Sequence, residues 1–178
     1  MCMTKHLMVD LETMAVSPSA VVLTLGAVHF NPYGSGYSDK LYFRISIDDQ
    51  DVLNREVDPG TLDWWSKQNP EIMEEAFSPD DRLPLVDAID KFHKFAWGCS
   101  AFWSHGSVFD IVILENIYRQ LGKPVPWEYW QIRDTRTLFD LGLDPDMPTG
   151  SKHNALEDAI RQAAGVQNMY RKLNVRER

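Results

Sequence analysis

Short apolar runs separated by polar turns open the chain and predict three consecutive strands. Residues 5–11 suit a short buried strand, residues 20–30 form a second run rich in Val and Leu, and residues 41–47 form a third. The segment Asn31-Pro-Tyr-Gly-Ser-Gly36, between the second and third runs, has the composition of a turn. We therefore expect these last two strands to form a hairpin.

A helical period replaces the strand pattern in the middle of the chain. A helix is predicted over residues 58–68, because the Asn-Pro pair that follows disfavours helical geometry. Residues 83–97 have apolar positions at a helical spacing and stop at Gly98. A fourth strand at residues 101–104 and a helix through residues 111–121 follow.

The last part of the chain predicts a fifth strand, a short helix and a long final helix. The strand is expected at residues 127–132, the short helix at residues 134–141 and the final helix from Ala155. The final helix has one apolar stripe, formed by Leu156, Ala159, Ile160, Ala163, Val166, Tyr170 and Leu173. The alternation of strands and helices predicts an α/β fold.

The composition is that of one globular domain covering residues 1–178, with 44% hydrophobic and 25% charged residues. The longest apolar stretch, residues 20–28, is less than half of the roughly 20 residues that cross a bilayer. The apolar segment near the N-terminus is too short for a secretory signal. Two cysteines, Cys2 and Cys99, do not suggest a disulfide scaffold. We expect a cytoplasmic protein without a membrane partner.

The net charge of −8 argues against nucleic-acid binding through a broad basic surface. The charge is also uneven, since residues 1–90 contain 16 acidic and 6 basic side chains, whereas residues 91–178 contain 10 and 12. An anionic partner should therefore favour the second half of the chain or be recruited through bound cations.

The first candidate for chemistry is the pair Asp10 and Glu12 at the end of the first strand. The period of two in a strand places both carboxylates on one face and Leu11 on the other. Two acids on one face repel each other, which raises their pKa values unless cations lie between them, and hard oxygen ligands suit Mg²⁺ or Mn²⁺. A solvated strand end would also explain the pair.

Two further acids begin helices. Asp110 follows the fourth strand, and a structural explanation is available because Ser107 could cap the helix with Asp110 near its positive end. In the final helix Asn154 is the expected N-cap, which leaves His153 on the preceding loop. Asp158 falls about 120° from the centre of the apolar stripe, as a solvated acid would.

The order of these residues resembles the DEDDh subgroup of the DnaQ-like 3′-5′ exonucleases. The matching segments are Asp10-Leu-Glu-Thr-Met14, Leu25-Gly-Ala27, Ser104-His-Gly-Ser-Val-Phe-Asp110 and His153-Asn-Ala-Leu-Glu-Asp-Ala159. Asp134-Thr135 lies where family members often have a D-T pair. One departure is His105-Gly-Ser in the second motif, where the family usually has H-N-A. The resemblance spans residues 5 to about 170.

A second element narrows the resemblance to a subfamily. Asp58-Pro-Gly-Thr-Leu-Asp-Trp-Trp-Ser-Lys-Gln68 is similar to the W-W-x-x-Q element of small bacterial and phage exoribonuclease-like proteins related to exodeoxyribonuclease VIII. Trp64 and Trp65 could belong to an amphipathic helix that buries one indole, or could form a stacking surface for a base. The sequence leaves both alternatives open.

The resemblance implies a ribonuclease H-like, mixed five-stranded sheet flanked by helices, in the DnaQ-like topology. It also implies a metal-dependent 3′-5′ exonuclease that removes nucleoside 5′-monophosphates from RNA or DNA 3′ ends, with RNA favoured by the subfamily. Two divalent cations, Mg²⁺ or Mn²⁺, would neutralise the acids and act by a two-metal mechanism. A homodimer is expected from the subfamily alone.

The roles that the resemblance assigns fall into three groups. The catalytic residues are Asp10, Glu12, Asp110, His153 and Asp158. The metal ligands are the four acids of that set, and His153 is the base that takes a proton from the attacking water. The substrate-binding residues are Leu11, Thr13, Met14, Trp65, Gln68, His105 and Phe109. Flanking phosphates are expected to contact Arg133, Arg136, Lys152 or the basic C-terminal tail.

Three alternative functions differ in kind from an exoribonuclease. The chain could be a 3′-5′ exodeoxyribonuclease, since the sugar preference depends on how the pocket treats the 2′-hydroxyl. It could be a catalytically inactive member of the fold that binds a nucleic-acid end or a protein. It could also be an acidic structural partner that acts through exposed acids such as Asp48, Asp49 and Asp51.

Overall fold

A computed structural model describes residues 4–150 and 153–177, and it shows a mixed six-stranded sheet flanked by helices. The strands are β1 (His6–Thr13), β2 (Val22–Phe30), β3 (Asp39–Ile45), β4 (Arg82–Leu83), β5 (Ala101–Ser104) and β6 (Ile132–Asp134). The helices are α1 (Ile47–Asp51), α2 (Pro59–Trp65), α3 (Pro70–Phe77), α4 (Leu85–Ala96), α5 (Asp110–Gln120), α6 (Thr135–Phe139) and α7 (Ala155–Lys172). None of these helices combines the length and apolar character needed to cross a membrane. Cys2, Lys152 and Arg178 lie outside the described residues.

The strand order is β4-β3-β2-β1-β5-β6, so the strand that carries Asp10 is central. It pairs antiparallel with β2, where Asp10 lies opposite Gly26, and parallel with β5. Because β1, β5 and β6 run in the same direction, their carboxyl ends meet at one edge of the sheet. Asp10, Ser104 and Asp134 are therefore brought to that edge.

Alternate residues of β1 pack against different layers, as the period of two requires. Leu7, Val9 and Leu11 belong to the core under α4 and α5, whereas Met8 packs with the small and apolar residues of α7. The two carboxylates of β1 therefore lie on the α7 face and Leu11 on the other, as the sequence predicts. A third core lies around Trp65 at the other end of β2.

The backbone of β2 is in unusually close contact with the first turn of α7. A Cβ atom built on Gly26 would lie 2.2 Å from both the carbonyl carbon of Ala155 and the nitrogen of Leu156. Only a residue without a side chain permits this approach. Ala155, Ala159 and Ala163 face the sheet with small side chains, so the helix lies low across β2 and β1.

The predicted strands are confirmed in existence, but most of their bounds shift by one or more residues, and two of the differences have a clear local cause. Residues 127–132 do not form a strand: Tyr129–Gln131 is a 3₁₀ turn, and the strand begins at Ile132. Ile47, predicted as the end of the third strand, begins α1 after the Ser46 N-cap. The sixth strand of the sheet, Arg82–Leu83, pairs parallel with β3 and includes Leu83, which its apolar period predicts to begin a helix.

Among the helices, α1 and α3 are not predicted from the sequence, and the predicted cap of α5 is wrong. Pro70 does not simply terminate a helix but occupies the first turn of α3, where a missing N–H carries no penalty. The N-cap of α5 is Phe109 rather than Ser107. The Asn154 N-cap of α7 is confirmed, since its side chain accepts hydrogen bonds from the backbone N–H groups of Leu156 and Glu157.

The close contact at Gly26 yields a stability prediction. Gly26→Ala forces α7 away from β2, and overpacking of this kind typically lowers the free energy of unfolding by about 1–3 kcal/mol. Urea denaturation should show this loss. Gly34→Ala is the matched control, because its added Cβ would be 3.6 Å from the nearest atom in a surface turn. Equal stability of the two variants would contradict the prediction.

Candidate active site

Three carboxylates from two distant parts of the chain converge above the sheet. Asp10 and Glu12 come from the end of β1, and Asp158 from the start of α7. One oxygen from each of these residues lies within 4.8 Å of the others, a spacing that a single cation could bridge. The acids converge because the first turn of α7 packs directly against Gly26, which lies opposite Asp10 in the sheet.

Asp10 and Asp158 each accept hydrogen bonds from specific donors. The side-chain amide of Gln162 donates to Oδ1 of Asp10 at 2.8 Å. Asp158 accepts from the backbone N–H of His153 at 2.7 Å and from the guanidinium of Arg161 at 2.6 Å. Arg161 and Gln162 follow Asp158 by about one helical turn, so α7 supplies Asp158, its guanidinium partner and the amide that donates to Asp10.

Asp110 approaches the same cleft from the opposite layer but is held separately. It is the first residue of α5, and its Oδ1 accepts the backbone N–H of Leu11 at 3.0 Å. Asp110 is buried, with 3% of its surface exposed, and it is not one of the three acids whose oxygens lie within bridging distance. The hydrogen bond ties the start of α5 to β1 between Asp10 and Glu12.

Burial and neighbouring negative charges raise the pKa values of Asp10, Glu12 and Asp110. Desolvation, followed by the charges of Asp158 and Asp110, raises the pKa of Glu12 to about 8. Burial also raises the pKa of Asp110 to about 7, even though Leu11 donates to it. Burial and the neighbouring acids raise the pKa of Asp10 well above its ordinary value. A divalent cation would reverse this balance by favouring the ionised forms.

His153 lies beside the acids, just outside the N-terminus of α7. Its backbone has φ of 65°, an uncommon conformation for a residue other than glycine. Its ring packs against Trp64 of α2, with 4.8 Å between centroids and nearly perpendicular planes. This contact joins two segments that both flank the cleft.

The loop before α5 is held by Asp134 and Thr135. Asp134 accepts from the backbone N–H and hydroxyl of Ser107, and Thr135 Oγ1 lies 2.7 Å from His105 Nδ1. Burial and the charge of Arg136 lower the pKa of His105, which favours a neutral imidazole in this bond. The D-T pair thus has a structural role in positioning the loop that leads to Asp110.

Two adjoining clefts surround these groups. The first, of about 460 Å³, is lined by the four acids with Leu11, His105, Phe109, Arg136, Met147, His153, Arg161 and Gln162. The second, of about 370 Å³, is lined by Leu11, Glu12, Thr13, Val16, Asp58, Gly60, Thr61, Trp64, Trp65 and Phe109. Leu11, Glu12 and Phe109 face both, so a chain end could extend from one into the other.

Only some of the predicted substrate-binding residues line the two clefts. Leu11, Thr13, His105 and Phe109 line the clefts. Trp65 contributes to the second cleft but is 2% exposed, and its indole N–H donates to the Thr13 carbonyl at 2.8 Å. Met14 packs against the core around Trp65, and the Gln68 amide donates to the Trp64 carbonyl at 2.9 Å. Neither Met14 nor Gln68 lines a cleft.

Sequence reasoning missed Gln162, Arg161 and Met147. Gln162 is 7% exposed, and its buried face shows that the inner stripe of α7 is rotated towards Asp158 by roughly 50° from the apolar pattern. A polar residue one turn after a suspected acid was the available signal. Arg161 also donates to the Pro148 carbonyl, which holds the loop that carries Met147 against α7.

The donor set fits a hard divalent cation. Carboxylate oxygens are the ligands that Mg²⁺ and Mn²⁺ prefer, and neither cysteine sulfur nor a histidine belongs to the group of three acids. The side-chain oxygen of Gln162 is buried beside Asp10 without a hydrogen-bond partner among the described residues. The cleft therefore contains a further oxygen atom that could act as a cation ligand and that accepts no hydrogen bond within the described residues.

Residues 5–170 match the family described as the 3′-5′ exoribonuclease Rv2179c-like domain. The chain is also similar to an exodeoxyribonuclease of Enterobacteria phage T4, with 26% identity over 79% of this chain and 74% of the phage protein. The family match covers every residue of the acidic cluster.

Solved structures of E. coli exonuclease I have a similar fold. A zinc-bound complex with single-stranded DNA has a TM-score of 0.70 at 14% identity and covers 96% of this chain and 41% of that one. A complex with a dA16 oligonucleotide has a TM-score of 0.69 at 14% identity, over 96% of this chain and 42% of that one. The chain thus spans about two-fifths of the length of these proteins, and the likeness establishes a ribonuclease H-like, DnaQ-like fold.

The raised pKa values predict that a rise in pH lowers the stability of the metal-free protein, whereas metal binding raises stability. Between about pH 4.5 and 8 the folded protein retains a proton on Glu12 that the unfolded chain has already released, so metal-free stability falls as pH rises through that range. Glu12→Gln should flatten this dependence, and Mn²⁺ should stabilise the wild type more at pH 8 than at pH 5 because its ligands must be ionised. Thermal denaturation in EDTA and in Mn²⁺ measures both effects. Identical pH slopes for the wild type and Glu12→Gln would contradict the assignment.

The bond between Gln162 and Asp10 predicts an effect on metal affinity. Partners that orient a ligand typically contribute 10–100-fold, so Gln162→Leu should weaken Mn²⁺ binding by about 10-fold in titration calorimetry. Gln167→Leu is the matched control on the same helix, because Gln167 donates to the Asn31 and Gly36 carbonyls instead. The control should lose stability but keep its Mn²⁺ affinity. Unchanged affinity in Gln162→Leu would show that Asp10 needs no such support.

Proposed function

Because this chain belongs to the family of 3′-5′ exoribonuclease Rv2179c-like domains, we propose that it is a metal-dependent 3′-5′ exonuclease that acts on RNA. It releases nucleoside 5′-monophosphates from a 3′ end. The observation that carries the proposal is the convergence of Asp10, Glu12 and Asp158 beside His153. These residues line a cleft that adjoins a second one, which gives room for the 3′ end of a nucleic acid.

The acids are proposed to hold two divalent cations, Mg²⁺ or Mn²⁺. Asp10, Glu12 and Asp158 have oxygens close enough to share one cation, and Asp110 completes the set from the opposite wall of the cleft. When bound, the cations would polarise the scissile phosphate and make a water molecule more acidic. The raised pKa values of Asp10, Glu12 and Asp110 support this role, since they indicate that these three acids lack sufficient counter-charge.

His153 is proposed to accept the proton of the attacking water. It borders the acidic cleft and lies outside the helix, so its side chain can reach a water molecule without disturbing α7. Water oxygen forms a bond to phosphorus as the bond to the 3′ oxygen of the preceding nucleotide breaks, and that oxygen takes a proton from solvent to become a 3′-hydroxyl. The products are a nucleoside 5′-monophosphate and a chain shortened by one residue.

The cleft walls supply contacts for the rest of the substrate. Arg136 and Arg161 border the acidic cleft and provide positive charge for phosphates that flank the scissile bond. The adjoining cleft, with Thr13, Phe109 and the edge of Trp65, suits the terminal nucleoside. Met14 and Gln68 support this cleft from behind, through the core around Trp65 and the carbonyl of Trp64.

The sugar preference has one competing candidate. The phage relative is an exodeoxyribonuclease, which supports DNA as the alternative substrate. The family description supports RNA, and it matches a longer part of this chain. The homodimer and the cytoplasmic location expected from the sequence stay predictions.

Activity is tested with 5′-labelled single-stranded and 3′-tailed RNA and DNA of equal sequence, in Mg²⁺, Mn²⁺ or EDTA. We expect a ladder that shortens from the 3′ end, requires the metal and is faster on RNA. Asp10→Ala should abolish it, and His153→Ala should slow it by 10²-fold or more, the usual contribution of a general base. Asp51→Ala, an exposed acid on α1, is the control and should match the wild type.

Two outcomes would overturn the proposal. A wild-type protein that binds all four substrates but leaves them intact with each metal would be an end-binding module. Activity that survives in Asp10→Ala would place the chemistry elsewhere. Faster shortening of DNA would retain the exonuclease and reverse only the sugar preference.

A further inference from the structure

The ring of His153 is held by a contact with another aromatic side chain, Trp64. Its centroid lies 4.8 Å from that of Trp64, and the two planes are at 87°. Perpendicular packing of this kind is a preferred geometry for aromatic pairs. The histidine backbone is fixed as well, since its N–H donates to Asp158. The imidazole is therefore oriented by Trp64, and its main chain by Asp158.

Trp64 is in turn connected to β1 through its neighbour Trp65. It packs perpendicular to Trp65, with centroids 5.1 Å apart, and the Trp65 N–H donates to the carbonyl of Thr13. The Gln68 amide donates to the backbone carbonyl of Trp64. A continuous path of contacts thus connects the strand that carries Glu12 to the ring of His153.

We propose that Trp64 is a positioning residue that holds the His153 imidazole at the wall of the acidic cleft. This inference rests on the proposed function, in which His153 takes a proton from water. The contact uses ring surface of Trp64, which is 41% exposed and lines the second cleft. The tryptophan therefore forms the boundary between the site of chemistry and the nucleoside cleft.

The competing role for Trp64 is direct stacking on the base of the terminal nucleotide. The two roles predict different kinetics. A positioning residue affects turnover through His153, so its removal lowers kcat regardless of whether a base is present. A stacking residue affects affinity through the base, so its removal raises KM and has no effect on a substrate without a terminal base.

The kinetic test uses Trp64→Ala with a substrate of ordinary sequence and one whose 3′-terminal nucleotide is abasic. An aromatic pair contributes enough to change kcat by about 3- to 10-fold, and we expect that loss on both substrates. Adding Trp64→Ala to His153→Ala should produce no further loss, because the contact is already absent. Trp64→Phe should recover part of the activity.

A second readout does not require catalysis. The ring protons of His153, assigned by comparison with His153→Ala, should change chemical shift in Trp64→Ala and move towards the values of an exposed histidine. Trp97→Ala is the matched control: Trp97 is 72% exposed, and its ring lies 6.3 Å from that of His93. That variant should shift His93 and leave His153 unchanged.

The outcomes separate this inference from the proposed function. An inactive wild type with a His153 shift in Trp64→Ala would refute the exonuclease but retain the contact. Unchanged His153 resonances, or a kcat loss that persists undiminished in the His153→Ala background, would overturn the positioning role. A penalty that appears only in KM and disappears on the abasic substrate would assign Trp64 to base stacking instead.

Discussion

The site depends on how closely one helix approaches one strand. Gly26 lies opposite Asp10 in the sheet, and the first turn of α7 rests on it at a distance that a single methyl group would prevent. The same turn carries Asp158, and the next turn carries Gln162, which donates to Asp10. A missing side chain on β2 is thus the condition under which acids 148 residues apart in sequence share one cleft.

The fold then holds charges that repel each other. The raised pKa values of Glu12 and Asp110 show that burial and proximity are only partly offset by the protein's own donors. Those donors are few and directed: Leu11 to Asp110, Gln162 to Asp10 and Arg161 to Asp158. They fix the orientation of the acids, but the one positive charge among them, on Arg161, leaves the cluster with a net negative charge that a bound cation would compensate. Stability and function are opposed here, as is common where a site is arranged for a ligand.

The motif residues and the faces of β1 were predictable from the sequence because they depend on local rules. The period of two in a strand places Asp10 and Glu12 together, and an Asn before an apolar helix is a dependable cap. The supports were not predictable, because they are long-range: Gln162 reads as a surface residue until Asp10 is beside it. The same cause explains the buried Gln167, whose amide is satisfied by two loop carbonyls. At Pro70 the prediction of a helix end alone was incomplete for a different reason, because a proline that ends one helix can also occupy the first turn of the next.

The paired tryptophans show how one short helix can serve both the fold and the cleft. Trp65 is buried and bonded to the main chain of β1, so it belongs to the core that the amphipathic interpretation anticipated. Trp64, its neighbour in sequence, points away from that core and meets His153. Since adjacent residues on a helix are about 100° apart, burial of the Trp65 indole directs Trp64 to a different surface. The anchoring of Trp65 therefore determines where Trp64 lies, and Trp64 in turn contacts His153, a side chain of the site that lies outside the helices and strands.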